Sequence, residues 1–135
     1  MAVEDVGAKA EAVIRSLVYK DNRGRDKLDL TTGQIRKVLT AINALTNKIT
    51  VYKLQNESMT ELPEELAAEV KFLKVKIAYQ VGRDRNRGTP VKIFVEKAEL
   101  FKRIDAVANS IAAWENFSRY VEALVAYHKF YGGRD

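Results

Sequence analysis

Apolar residues recur along this chain at three- and four-residue spacing, and almost nowhere in alternation. That period is helical, so the sequence predicts an all-α protein, a compact bundle of about five helices. The first helix is expected from about Val3 to Tyr19, with Val6, Ala10, Val13, Ile14, Leu17 and Val18 in register. The polar run KDNRGRDKLD, with Gly24 at its centre, reads as a loop. A second helix opens at Thr31-Thr32-Gly33-Gln34, which has capping-box spacing. Its stripe is Ile35, Val38, Leu39, Ile42, Leu45 and Ile49, and its end is ambiguous because Ile49–Tyr52 can also be read as extended. Pro63, Glu64 and Glu65 suit the start of a third helix that runs to about Gly82. Thr89-Pro90 opens a fourth as a cap followed by proline, carrying Val91, Phe94, Val95, Ala98, Phe101, Ile104 and Ala108. The fifth starts near Ile111–Trp114 and stops at Gly132-Gly133.

The third helix is apolar on two sides. Leu66, Val70, Leu73, Ile77 and Val81 form one stripe, and Phe72, Val75 and Tyr79 a second. Such a helix is either central in its own bundle or shared with a partner, and the second alternative predicts self-association. The fifth presents Trp114, Phe117, Tyr120, Val121, Leu124, Val125, Tyr127 and Tyr131 on one broad face, with His128 in its middle.

With 135 residues, 47% of them hydrophobic, the chain is expected to form a single domain over residues 1–135. It has no cysteine, which excludes disulfides, thiolate metal sites and thiol nucleophiles. Neither a secretory leader nor a membrane-spanning stretch is present, so a cytoplasmic location is expected. His128 is the sole histidine and has no signalled nucleophile or carboxylate beside it. A neutral, hydrogen-bonded core or interface histidine is the expectation. Glu61, Glu64, Glu65 and Glu69 cluster at a helix start, where the helix dipole explains them better than a metal does. Gly82, Gly88, Gly132 and Gly133 sit at helix ends, where cap geometry explains them, and no phosphate-cradling loop appears. The chain is therefore expected not to be an enzyme and to need no cofactor or metal.

The net charge of +5 is unevenly placed. Residues 1–30 balance, whereas residues 71–92 hold Lys71, Lys74, Lys76, Arg83, Arg85, Arg87 and Lys92 against Asp84 alone. Lysine and arginine neutralise phosphates, and arginine also stacks on bases. This loop adjoins the start of the fourth helix, where free N–H groups favour anions. Arg36, Lys37, Arg119 and Lys129 extend the candidate surface, and Tyr19 and Tyr52 are either stacking groups or half-buried core.

Four stretches resemble the small subunit of the type III-A CRISPR–Cas effector, the Csm complex: Leu30-Thr31-Thr32-Gly33-Gln34-Ile35-Arg36-Lys37, Phe72 to Asp84, Val91 to Ala98, and Phe117 to Gly133. They stand in the family's order and cover the chain from about Leu30 onward; the first 30 residues match only as a helix and a variable loop. The resemblance implies a helical, non-catalytic subunit that stacks in several copies along guide and target RNA, beside other Csm subunits. It carries RNA binding onto Arg36, Lys37, Lys74, Lys76, Arg83, Arg119 and Lys129, while Arg85 and Arg87 rest on charge alone. The alternatives are a purely structural oligomerising helical module whose basic segment meets acidic proteins, and, well behind, a nuclease with an unrecognised carboxylate site.

Overall fold

The computed structural model describes residues 4–134. Its elements in chain order are α1 (Val6–Leu17), β1 (Tyr19–Lys20), β2 (Asp26–Lys27), α2 (Thr32–Gln55), α3 (Glu64–Arg83), α4 (Pro90–Lys97), α5 (Leu100–Val107) and α6 (Ile111–Phe130). The fold is helical, as the periodicity requires. Among the described residues no helix is long and apolar enough to cross a membrane, and no three acidic or histidine side chains cluster as metal ligands.

Val3, the expected start of the first helix, lies outside the described residues. Within them α1 begins at Val6, because the Asp5 carboxylate accepts from Ala8 N at 2.9 Å and caps it. It ends at Leu17, short of Tyr19, since Tyr19 and Lys20 pair antiparallel with Lys27 and Asp26. The expected plain loop is thus a small hairpin. Asp21 closes it, accepting from the backbone N of Arg23 and Arg25, and Gly24 supplies the left-handed residue at φ 75°. Two residues per strand are too few to leave an alternation in the sequence. Tyr19 stays exposed and donates to Asp29, whereas Tyr52 packs half-buried on the core.

The α2 capping box forms as read: Gln34 N donates to Thr31 Oγ1 and Thr31 N to Gln34 Oε1. The helix continues through Ile49–Tyr52 because Ile49 is buried in line with Ile42 and Leu45. Pro63 occupies the N-cap of α3, one position earlier than expected.

The expected fourth helix is two helices. Glu99 is left-handed (φ 53°), and the Ala98 carbonyl accepts from the Tyr120 hydroxyl at 2.8 Å. A continuous helix would place Leu100, Ile104 and Val107 opposite Val91, Phe94, Val95 and Ala98. The break turns the second stripe back, so both sets are buried. Phe101 and Ala108, counted on the stripe by spacing, are exposed instead.

Helix α6 packs on α1, α2 and α5, while α3 packs on α2, α4 and α5. Trp114, Phe117, Tyr120, Val121 and Leu124 are buried as expected; Val125 is exposed. His128 is buried, and its Nε2 lies 2.7 Å from the Leu30 carbonyl. That carbonyl can only accept, which assigns the proton to Nε2. Val70, Leu73 and Ile77 of α3 are buried, but Phe72, Val75 and Tyr79 are 54%, 55% and 65% exposed. The second stripe therefore faces outward, and α3 is not the central helix of its bundle.

Glu4, two residues before α1, is tied down by a fork. Arg103 Nη1 and Nη2 donate to the two Glu4 carboxylate oxygens at 3.0 and 3.4 Å, and the guanidinium lies 3.8 Å from the centre of the Tyr120 ring. Arg103, and then Lys9, hold the Glu4 carboxyl down at about 2. A depressed carboxylate stabilises the fold above its unfolded value, and that contribution disappears as pH falls from 4.5 towards 2. Glu4→Gln is expected to lower stability by about 1 kcal/mol or less at pH 7, the scale of a partly exposed pair. The difference in melting temperature from the parent should close on acidification through that window. A difference that persisted unchanged at pH 2 would show that the charge is not its origin.

Candidate nucleic-acid interface

The sequence predicts nine basic site residues, and α2, α3, α6 and the loop 84–89 carry them. Among the described residues, eight of the nine have no carboxylate within ion-pair distance. The exception is Lys74, whose Nζ is 2.6 Å from Asp105 Oδ1 on α5. Lys74 thus points away from Lys76 and Arg83 and contributes less free charge than its place in the sequence implies.

The loop after α3 is organised by Asp84. Its Oδ1 accepts from Asn86 N at 3.0 Å and from Gln34 Nε2 at 3.4 Å, and its Oδ2 accepts from Val91 N at 3.0 Å. Asp84 therefore caps α4 from seven residues away and links it to the capping-box glutamine of α2. Thr89, the expected cap, is left-handed (φ 45°), and its side chain makes no cap bond. The start of α4 is consequently not an open anion site, because the chain's own carboxylate fills it. Asp84→Ala is expected to cost about 1 kcal/mol, the usual value of a lost cap, and to loosen residues 85–89. Thermal denaturation and amide exchange of the loop would read both effects. An unchanged melting temperature would mean that Thr89 or water replaces the cap.

This anchoring gathers one set of cations. Lys37, Arg83 and Arg85 line a shallow cleft of about 250 Å³ with Gln34 and Gln80. Lys37 and Gln80 also line the adjoining groove between α2 and α3, about 540 Å³, together with Lys76 and Tyr79. Arg83 lies over the Tyr79 ring, 5.8 Å from its centre. Lys37, Lys76, Arg83 and Arg85 thus form a single continuous patch. Arg87 lines a different hollow with Asp29, Thr31 and Pro90.

The remaining three residues belong to the α2–α6 side. Arg119 lines a groove of about 510 Å³ with Thr46, Thr50 and Lys53. Arg36 shares a face of α2 with Asn43 and Thr50. Lys129 shares a face of α6 with Ser118, whose hydroxyl is 3.5 Å from that of Thr46. The structure therefore divides the nine residues into a main patch, a second flank, an isolated Arg87 and a paired Lys74. Tyr79, Gln80 and Gln34 also line the main patch, although sequence reasoning assigned them no part in RNA binding. Their signal was helical spacing: Tyr79 and Gln80 fall one turn from both Lys76 and Arg83.

Chemically, such a patch can neutralise several phosphates and offers an aromatic face beside them. Comparison with known proteins points to one family. Residues 11–134 match the family model described as Csm2 Type III-A. A protein of Streptococcus thermophilus named CRISPR system Cms protein Csm2 is 39% identical over 94% of this chain and 91% of its own length. Proteins of the same name from Enterococcus italicus and Mycobacterium tuberculosis are 38% and 32% identical, covering 94% and 98% of this chain and 89% and 97% of their own. A match over nearly the whole chain, on a helical fold of the expected kind, shows that the chain belongs to the Csm2 family of type III-A CRISPR systems.

Proposed function

We propose that this chain is the non-catalytic small subunit of a type III-A RNA-guided complex, acting as a single helical domain that stacks along the paired guide and target RNA beside other Csm subunits. It holds RNA by its phosphates and without sequence preference, since guide pairing reads the sequence, as in other RNA-guided effectors. The observation that carries this reading is the cation patch of Lys37, Lys76, Arg83 and Arg85, without carboxylate partners among the described residues, beside the Asp84 anchor. Arg36, Arg119 and Lys129 give a second flank, with Arg87 at the loop.

The test is RNA affinity as a function of salt. Each phosphate neutralised on a single strand contributes about 0.7 to the slope of log affinity against log salt. The expected slope is about 2 or more, and a salt-independent affinity would refute phosphate binding. A purely structural role is favoured by one observation, the outward stripe Phe72–Val75–Tyr79. On that reading, reversing the patch charges spares RNA binding and breaks assembly with copies of the chain or with other subunits.

A further inference from the structure

Tyr79 is the most exposed large hydrophobic side chain on α3, in a helix whose other face already supplies the core. Nothing in the fold requires an aromatic ring there. Yet the ring is held: Arg83, one turn on, lies over it at cation–π distance. The wall that α2 presents across the groove carries the small side chains of Ala41 and Ala44 beside Lys37, Val38 and Thr40, which leaves room beside the ring. Of the groove's volume, about 540 Å³, a nucleoside would fill only part. Its cations, Lys37 and Lys76, have no carboxylate partner among the described residues, so the complementary occupant is anionic. Anionic charge with a flat aromatic face describes a nucleotide better than an acidic peptide.

We propose that Tyr79 is a stacking platform for an unpaired RNA base, with the flanking phosphates on Lys37, Lys76 and Arg83. This rests on the RNA-binding reading above and adds a strand state to it. Bases inside an A-form duplex are stacked on one another and offer no free face, so the platform takes a single-stranded or extruded nucleotide.

The experiment uses the full chain and fluorescence anisotropy with two labelled probes, an oligoadenylate of about 12 nucleotides and an abasic ribose-phosphate strand of equal length. Tyr79→Ala is expected to weaken oligoadenylate binding about tenfold, with Tyr79→Phe close to the parent, because the ring and not the hydroxyl stacks. All three proteins should bind the abasic strand equally. If Tyr79→Ala binds oligoadenylate as the parent does, the stacking role is overturned and phosphate binding stands. If the parent binds neither probe, the RNA reading itself fails. Light scattering closes the remaining route: should Tyr79→Ala dissociate a self-associated form and leave oligoadenylate affinity unchanged, the stripe is a contact between copies and the proposal is wrong.

Discussion

Changing Lys37, Lys76 and Arg83 together to Glu is expected to reduce single-stranded RNA affinity by about two orders of magnitude at low salt and to lower the salt slope by about 2. The slope follows from three lost phosphate contacts at about 0.7 each. The affinity loss is larger than three neutral deletions would give, because the introduced carboxylates repel the strand. All three side chains are exposed and none has a carboxylate partner among the described residues, so the fold should survive and circular dichroism should be unchanged. Lys74→Ala is the internal contrast. Its ammonium already faces Asp105, so its removal should alter RNA affinity by only about twofold. If the triple variant keeps the parent's affinity and slope, the RNA track runs instead along the α2–α6 flank, on Arg36, Arg119 and Lys129. If Lys74→Ala is as damaging as a change at Lys76, the Asp105 pair opens in solution and Lys74 rejoins the surface.

That contrast marks what a linear reading can and cannot resolve. Charge excess in residues 71–92 is visible in the sequence because it needs only counting. Whether a given lysine is free depends on Asp105, a residue 31 positions away on an element that sequence reasoning merged with its neighbour. The same holds for Asp84. In sequence it is the one acid in a basic run, and electrostatic pairing with Arg83 is the obvious guess. In the fold it is a helix cap, because the loop returns Val91 N to its carboxylate.

Helix existence was legible for a related reason. Caps and stripes are local, so Thr31-Thr32-Gly33-Gln34 and Pro90 announce their helices without tertiary help. The break at Glu99 was not announced. No glycine or proline stands there, and a left-handed glutamate is held by what surrounds it: the Tyr120 hydroxyl on the Ala98 carbonyl and the burial of Leu100. Periodicity taken over one continuous helix then assigns Phe101 to the core in place of Leu100. The outward stripe of α3 is the complementary case. Spacing showed two apolar faces, and only the packing shows which one the chain itself covers.

The last stretch of the chain carries the second large effect. His128 and Gly133 form a latch: the ring donates to the Leu30 carbonyl just before α2, and Gly133 N donates to the His128 carbonyl at 2.8 Å. Thr32 N donates in turn to the Arg134 carbonyl, so the end of α6 is joined to the start of α2 from both sides. Gly133 does not have positive φ; unlike Gly132, at φ 98°, it is not required by left-handed cap geometry. What excludes a side chain at 133 is the imidazole, into which a Cβ would project. Gly133→Ala should therefore cost about 1–3 kcal/mol by overpacking. His128→Ala should cost about 2–4 kcal/mol, from the cavity and the stranded Leu30 carbonyl. The decisive measurement is the double variant. With the imidazole gone, the methyl group introduced by Gly133→Ala has space to occupy, so the two costs should fall short of additive by at least about 1 kcal/mol. Additive losses in denaturant unfolding would place the strain of Gly133→Ala in the backbone and dissolve the latch. A non-additive result would explain in physical terms why the single histidine of the sequence is buried beside a glycine.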